Sequence, residues 1–369
     1  MKKIIFGITG LTLGGAERVL VDLANELSKN YDITIFTIYA GGELEKELND
    51  KVKLKSIYDV SYKQLSKIQK LTIPLKLLFR KSKIYKKYIK GNYDVEIAFL
   101  EGPITRLFSV KNDKVNKIAW IHNDISFVFG DGFKAKLKRK IDNKSYSKYK
   151  TLIFVSKENL NNFNKTYPNI KVNKKVIYNY INKDNIIKKA NMYEPNEIDL
   201  NNKNFLTVAR LVSQKGINRI IEVHSKLIRQ GLKHYFYVIG DGPEKEKLEK
   251  LIKENNVEDT FILLGKKENP YPYIKKIEYF CLFSKFEGYG MVLEEAKILN
   301  KNILITNTAA REAVEGYNKA IITENTEDGI YNVMKEKIEE EKQNENHKQE
   351  IDNGEKIIKE IITLIESGE

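Results

Sequence analysis

Short apolar runs alternate with helically spaced apolar patterns along most of this 369-residue chain, and that rhythm leaves few folds open. Runs rich in β-branched and aromatic residues, bounded by turn residues, read as buried strands. Strand–helix–strand repetition builds a parallel sheet covered on both faces. In the first half the runs fall at 3–8, 33–39, 95–99, 117–121 and 152–155; in the second, at 205–208, 235–239, 261–264, 279–283 and 303–305. Between the sets, residues 182–203 are polar, rich in Asn and Lys, and hold Pro195, which marks a linker or hinge. The expected organisation is an α/β chain with one doubly wound domain at 1–181, a linker at 182–203, a second domain at 204–345, and a helical end at 346–369. Within that end, 336–349 is almost without apolar residues and must be solvated. Ile351, Ile357, Ile358, Ile361, Ile362 and Ile365 then restore an amphipathic face. Two such sheets joined by a hinge present their strand carboxyl ends to a cleft, where ligands of these sheets bind.

Composition narrows the class. The chain can bury two medium cores, and no run of about eighteen apolar residues would cross a bilayer. Residues 1–8 have a short apolar run broken by Gly7, which reads as a first strand rather than a signal peptide. The single cysteine, Cys281, falls in an expected core strand, so a reducing cytoplasm fits. A formal charge of +14 comes from 64 basic residues, of which only eight are Arg. Residues 63–90 hold ten of the basic residues and no acidic one, interleaved with Leu71, Ile73, Leu75, Leu77, Leu78, Phe79, Ile84, Tyr85, Tyr88 and Ile89. A second basic run, 134–150, carries only Asp142 against it. A basic helix with an apolar stripe suits an anionic membrane surface, and equally a core helix with a solvated lysine face. Nucleic-acid binding is the weaker reading, because Arg is scarce and no aromatic–basic recognition motif occurs.

The richest segment is Ser284-Lys285-Phe286-Glu287-Gly288-Tyr289-Gly290-Met291-Val292-Leu293-Glu294-Glu295-Ala296. It follows the apolar run 279–283 and opens a helical pattern over 291–299. A strand, a glycine-bearing turn and a helix N-terminus make an anion site, because first-turn N–H groups lack intrahelical acceptors and the dipole favours negative charge. Two glycines let the backbone approach a ligand. Glu287 and, in the helix, Glu295 add acceptors for hydroxyl groups. Phosphate donors beside sugar acceptors suggest a nucleotide-sugar pocket, although the same pattern also serves ordinary helix capping. Earlier in the chain, Thr207-Val208-Ala209-Arg210-Leu211-Val212-Ser213-Gln214-Lys215-Gly216 begins as a strand and ends at a helix start, with Arg210 leaving the strand's carboxyl end.

These segments resemble two elements of the retaining family-4 glycosyltransferases. The first is E-x7-E, usually E-G-F/Y-G-x-V/P-x-x-E-A, matched by Glu287, Gly288, Tyr289, Gly290, Glu295 and Ala296. The second is G/A-R-L-x-x-x-K-G. With the turns described below, the resemblance runs in the family's order over residues 7–307. It implies the GT-B fold, two Rossmann-like doubly wound domains facing a cleft, with the last helix crossing back to the first domain. It implies a retaining hexosyl- or N-acetylhexosaminyltransferase. Such an enzyme moves a sugar from a nucleoside diphosphate, with UDP the expected nucleotide, to a hydroxyl of a glycan or lipid-linked acceptor in bacterial surface polysaccharide (capsule-type) synthesis. Its place would be the cytoplasm, or peripherally the inner face of the membrane.

By the same resemblance, Arg210 and Lys215 hold the diphosphate. Its departure builds negative charge, which fixed cations stabilise more in the transition state than in the ground state. Glu295 takes the ribose hydroxyls and Glu287 the sugar hydroxyls. Gly288, Tyr289, Gly290, Met291 and Val292 line the anion and sugar cage, with backbone N–H groups at 289–291. Gly14 and Gly15 of the Gly-Gly-Ala-Glu turn sit opposite. His122, at the carboxyl edge of its strand, lies near the donor sugar, with Asp124 a weaker candidate. Gly240 and Asp241, in a turn closed by Pro243 at the expected first helical position, form the floor near the nucleotide. Gly265 and Lys266 border the base. No D-x-D motif occurs, so no metal and no other cofactor is expected. The departing phosphate oxygen itself would take the acceptor proton, as in the front-face mechanism proposed for such enzymes. Asn300-Lys301-Asn302-Ile303 and Ser284 depart from the family's usual turns. A sugar-nucleotide epimerase of the same fold is the alternative within this architecture.

Overall fold

The structure, a computed structural model, describes residues 1–125, 132–341 and 354–367. Ile351 and residues 342–349 of the expected solvated run lie outside the described residues, as do the side chains of Leu78 and Lys134. The described residues divide into two compact units: residues 1–181 with the helix Gly354–Ser367, and residues 182–341.

In the first unit, β1 (Lys3–Ile8), β2 (Asp32–Tyr39), β3 (Lys53–Tyr58), β4 (Val95–Ala98), β5 (Asn116–Ile121), β6 (Thr151–Phe154) and β7 (Asn173–Val176) form one sheet. Its order is β3-β2-β1-β4-β5-β6-β7, with every pairing parallel. The second unit holds β8 (Lys203–Val208), β9 (His234–Ile239), β10 (Phe261–Gly265), β11 (Tyr279–Leu282), β12 (Asn302–Thr306) and β13 (Ala320–Thr323). Their order is β10-β9-β8-β11-β12-β13, again all parallel. Both are doubly wound Rossmann-like sheets. The order reverses between β1 and β4 in one and between β8 and β11 in the other, and ligands of such sheets bind outside the strand carboxyl ends at that reversal.

Apolar runs identify the central strands because those strands are buried on both faces. The burial of Ile4, Ile5, Phe6 and Ile8 on β1, and of Ile303, Leu304 and Ile305 on β12, is complete. Gly7 breaks the first run for a packing reason: a Cβ there would lie 2.3 Å from the Phe108 ring. The sequence reading missed β3, β7 and β13. All three lie at sheet edges, and their exposed or half-buried positions leave no continuous apolar run.

Residues 182–203, read from composition as a linker, carry the helix Lys183–Ala190. The Asn182 side chain caps it by accepting from the Asn185 N–H at 2.9 Å. Ile186 and Ala190 are buried as the helix packs on the helices Tyr271–Lys276 and Met291–Ile298. Two apolar contacts seat so short a helix, which is why its composition stayed polar. The terminal helix Gly354–Ser367 buries Ile357, Ile361, Leu364 and Ile365. The Lys2 ammonium donates to the Ile365 carbonyl at 3.1 Å and the Tyr31 hydroxyl to the Glu366 carboxylate at 2.8 Å, which ties it to β1 and its neighbours. Among the described residues, no helix is long and apolar enough to cross a membrane.

Candidate active site

The loops that follow β8 and β11 are laced together. β8 and β11 are neighbours at the reversal of strand order, so their carboxyl ends deliver Arg210–Gly216 and Phe283–Gly290 side by side. The Lys285 N–H donates to the Gln214 carbonyl at 2.8 Å, and the Gln214 side-chain amide donates to the Phe286 carbonyl at 3.0 Å. The Arg219 guanidinium reaches the Phe283 carbonyl at 2.7 Å. Gly216, at φ +65°, leaves the room this needs: a Cβ would lie 2.9 Å from that carbonyl and 2.8 Å from Arg219 Nε.

Within this frame the Lys215 ammonium is ion-paired with the Glu287 carboxylate. The Ser284 hydroxyl donates to the same Glu287 oxygen at 2.6 Å. Arg210 is exposed, and its guanidinium has no ion pair among the described residues. Gly290 adopts φ +78°, ψ +64° as N-cap of the helix Met291–Ile298. The Met291 and Val292 N–H groups precede the first bond of this helix, from the Leu293 N–H to the Gly290 carbonyl at 2.9 Å, and they follow directly on the loop that Lys215 grips through Glu287. Glu295 is buried and accepts from the Tyr271 hydroxyl at 3.3 Å. The Tyr289 ring is buried and its hydroxyl donates to Glu294 at 2.7 Å, so this side chain anchors the helix. Glu294 is also paired with Lys297 at 2.9 Å.

The turn after β9 packs against the loop that carries Arg210. Gly240 has φ +151°, and a Cβ on it would lie 1.8 Å from the Ala209 carbonyl oxygen. The Leu211 N–H donates to the Asp241 carbonyl at 3.0 Å, while the Asp241 carboxylate accepts from the Gly242 N–H at 2.9 Å. These contacts hold the backbone that carries Arg210. Pro243 precedes the Glu244 N-cap of the helix Lys245–Glu254, so it is not the first helical residue as its sequence suggested. Lys266 follows β10, which β9 separates from β8, and it is exposed.

The first unit gathers a second set at its own reversal, between β1 and β4. The His122 ring packs 4.6 Å from Phe99, centroid to centroid, and burial pushes its pKa down to about 3. It is therefore a neutral imidazole. Its Nε2 is buried without a hydrogen-bond partner among the described residues. Glu101, also buried, accepts from the His122 backbone N–H at 3.1 Å and from the Asn123 amide. Asp124 accepts from the Asn162 amide at 2.7 Å. Gly14 is the N-cap of the helix Gly15–Leu27, and a Cβ on it would lie 2.2 Å from the Glu17 carboxylate. The anion at this helix entrance is thus the chain's own, while Gly15 is exposed. Burial, then the charge of Glu101, push the Glu17 carboxyl up, against its own backbone hydrogen bond.

Residues 13–185 match the family described as Glycosyltransferase Family 4, and residues 188–356 match Glycosyl transferases group 1. The chain is a family-4 glycosyltransferase. A Campylobacter jejuni (subsp. jejuni serotype O:2) N-acetylgalactosamine-N,N'-diacetylbacillosaminyl-diphospho-undecaprenol 4-alpha-N-acetylgalactosaminyltransferase is 28% identical over 358 residues, 93% of this chain and 92% of its own. A second C. jejuni relative, a GalNAc-alpha-(1->4)-GalNAc-alpha-(1->3)-diNAcBac-PP-undecaprenol alpha-1,4-N-acetyl-D-galactosaminyltransferase, is 27% identical, over 80% of this chain and 77% of its own. Among solved structures, Anabaena HepE with UDP and glucose superposes with a TM-score of 0.71 at 17% identity, covering 92% of this chain and 90% of that one. These similarities, with the two parallel sheets, make this glycosyltransferase a GT-B protein.

Four residues that contact or lie beside the candidate residues within one unit or the other carry no local sequence signal strong enough to mark them, with one exception. Ser284 departs from the family's usual turn, yet its hydroxyl orients Glu287. Tyr271 holds Glu295 from a different helix, and no local pattern signals it. Glu17 is legible in sequence only as part of the Gly-Gly-Ala-Glu turn. Glu101 had a readable signal: Phe99-Leu100-Glu101-Gly102 repeats the strand–Glu–Gly grammar of Phe286-Glu287-Gly288.

Proposed function

We propose that this enzyme transfers a hexose or N-acetylhexosamine from a UDP-sugar, with retention, to a hydroxyl of a lipid-linked glycan during surface polysaccharide assembly, working peripherally at a membrane. The observation that carries the reading is the convergence of Lys215, Glu287 and the helix entrance at Gly290 on the sheet reversal between β8 and β11. A pyrophosphate needs fixed donors and positive charge, and a sugar needs carboxylate acceptors; both lie within one loop pair.

In this reading Arg210 and Lys215 grip the diphosphate, Arg as a planar fork and Lys as a point charge. N–H groups of the Met291–Ile298 first turn complete the anion site. Glu295, steadied by Tyr271, takes ribose hydroxyls. Glu287 is held by Ser284 and Lys215 in a fixed orientation toward the sugar. As the glycosidic bond breaks, the anomeric carbon becomes oxocarbenium-like and the leaving phosphate gains charge. Preorganised cations stabilise that charge without reorganising. The leaving phosphate oxygen then accepts the proton of the incoming hydroxyl, which removes the need for a separate base. The neutral His122 suits hydroxyl binding through Nε2 better than charge stabilisation. No metal is assigned, because the two cations take the place a divalent ion would occupy on the diphosphate.

The relatives' names support the acceptor and the stereochemistry. They describe α-linked products on diphospho-undecaprenol carriers, and α products from α-configured donors require retention. Screening donor hydrolysis over UDP-, GDP- and ADP-sugars in EDTA, followed by NMR of the product anomer, tests the whole reading. UDP-sugar turnover with an α product is expected. Turnover that disappears in EDTA and returns with manganese, or a β product, contradicts it.

A further inference from the structure

We propose that the helix Lys67–Phe79 is the surface on which this protein rests against an anionic lipid bilayer, with Ile68, Leu71, Leu75 and Phe79 entering the interface. This gives a surface to the peripheral attachment in the reading above. Vesicle binding can hold or fail whatever reaction the site performs.

The helix is apolar on two opposite faces. Ile73 and Leu77, 3% and 6% exposed, pack into the first unit's core beside Tyr85 and Phe108. On the other side Ile68, Leu71, Leu75 and Phe79 are 74%, 75%, 57% and 79% exposed. At about 100° per residue, Ile68, Leu75 and Phe79 fall within roughly 40° of one another, with Leu71 alongside. Scattered exposed apolar residues are ordinary, but a stripe three turns long, set opposite a seated face, is not. The polar residue within the stripe is Thr72, whose hydroxyl donates to the Gln69 carbonyl at 3.2 Å and needs no water.

Charge selects the occupant. Lys67 and Lys76 stand on either flank of the stripe, where their stems can lie along it while the ammonium groups reach headgroups. Residues 60–93 contain no carboxylate, and ten basic residues lie between 63 and 90. Protein–protein interfaces are depleted in lysine, whereas apolar stripes edged by lysine are the signature of helices lying in an anionic interface. The chain enters this helix from the carboxyl end of β3, so its first turn is on the side of the sheet where ligands bind.

Co-sedimentation of the full-length protein with phosphatidylcholine vesicles, with and without phosphatidylglycerol, tests the proposal. Binding to the phosphatidylglycerol vesicles is expected, weak binding to phosphatidylcholine alone, and release as salt is raised. Leu71→Asp/Leu75→Asp should lower vesicle affinity at least about tenfold, with the UDP-induced thermal shift unchanged. Lys67→Glu/Lys76→Glu should weaken binding to anionic vesicles while leaving that shift intact. The proposal is overturned by equal binding to both vesicle types, by no binding, or by native-like binding of the aspartate variant. It is equally overturned if sedimentation velocity shows a dimer that the aspartate variant splits, which would assign the stripe to a second copy of the chain.

Discussion

Lys215 and Glu287, 72 positions apart in sequence, form an ion pair whose side chains are 20% and 7% exposed. The pair joins the loop after β8 to the loop after β11, and each partner is assigned to a different part of the donor. Lys215→Met and Glu287→Gln should each lower kcat/KM by about 10²–10³-fold. Because the two groups act through one another, the double variant should lose much less than the product of the single losses. Strictly multiplicative losses in this cycle would show the pair to be incidental.

Glu295 is assigned to the nucleoside rather than to the chemistry. Glu295→Ala should abolish detectable donor binding in a thermal-shift titration. Tyr271→Phe removes only the hydroxyl that steadies Glu295, at a cost of about 1 kcal/mol, so KM should rise several-fold with kcat nearly constant. Native donor affinity in Glu295→Ala would remove it from the site.

How much of this was legible in the sequence depends on burial and on locality. Strands buried on both faces, such as β1, β11 and β12, announce themselves because every position must be apolar. The edge strands Lys53–Tyr58 and Asn173–Val176 do not, because solvent faces half of each. The helix Lys183–Ala190 hid for a similar reason, needing only Ile186 and Ala190 to dock. Arg210, Lys215, Glu287 and Glu295 could be proposed because each sits in a contiguous strand–turn–helix pattern. The turn at Gly240 is legible in sequence, but its packing against the Ala209 carbonyl is not, because that contact runs across two strands and no local spacing reveals it. Tyr271 and Glu101 belong to the same class, since their partners are distant in sequence.

Burial keeps His122, His224 and His234 neutral, which fixes the sign of an acid effect. His122 is pushed down to about 3 and His234 to about 4, and His224 is lowered by burial and by its neighbour His234. An unfolded imidazole titrates near pH 6.5. Stability should thus be full above about pH 6.5 and fall as the pH drops toward 4, by up to about 1.4 kcal/mol per unit for each histidine. Urea titrations at pH 7.5, 6 and 5 measure this. A flat stability across that range would mean that the rings are solvated.

Glu17 has the opposite sign. Its carboxyl is raised by burial and by the charge of Glu101, so ionising it costs the fold stability above its native pKa, and that cost vanishes as pH falls. Glu17→Gln should be more stable than the native protein at neutral pH, with the gap closing below about pH 4. A destabilised Glu17→Gln at pH 7.5 in thermal melts would show that the carboxylate is held in a favourable charged site.

The proposed grip on one pyrophosphate by Arg210, Lys215 and the helix entrance at Gly290 is tested most directly by calorimetric titration of UDP into the native protein and Arg210→Ala, both in EDTA. Binding by the native protein without metal, weakened at least about thirtyfold in Arg210→Ala, is expected from the loss of a charge-assisted contact. Equal UDP affinity in the two proteins, or no native binding until a divalent ion is added, would contradict it.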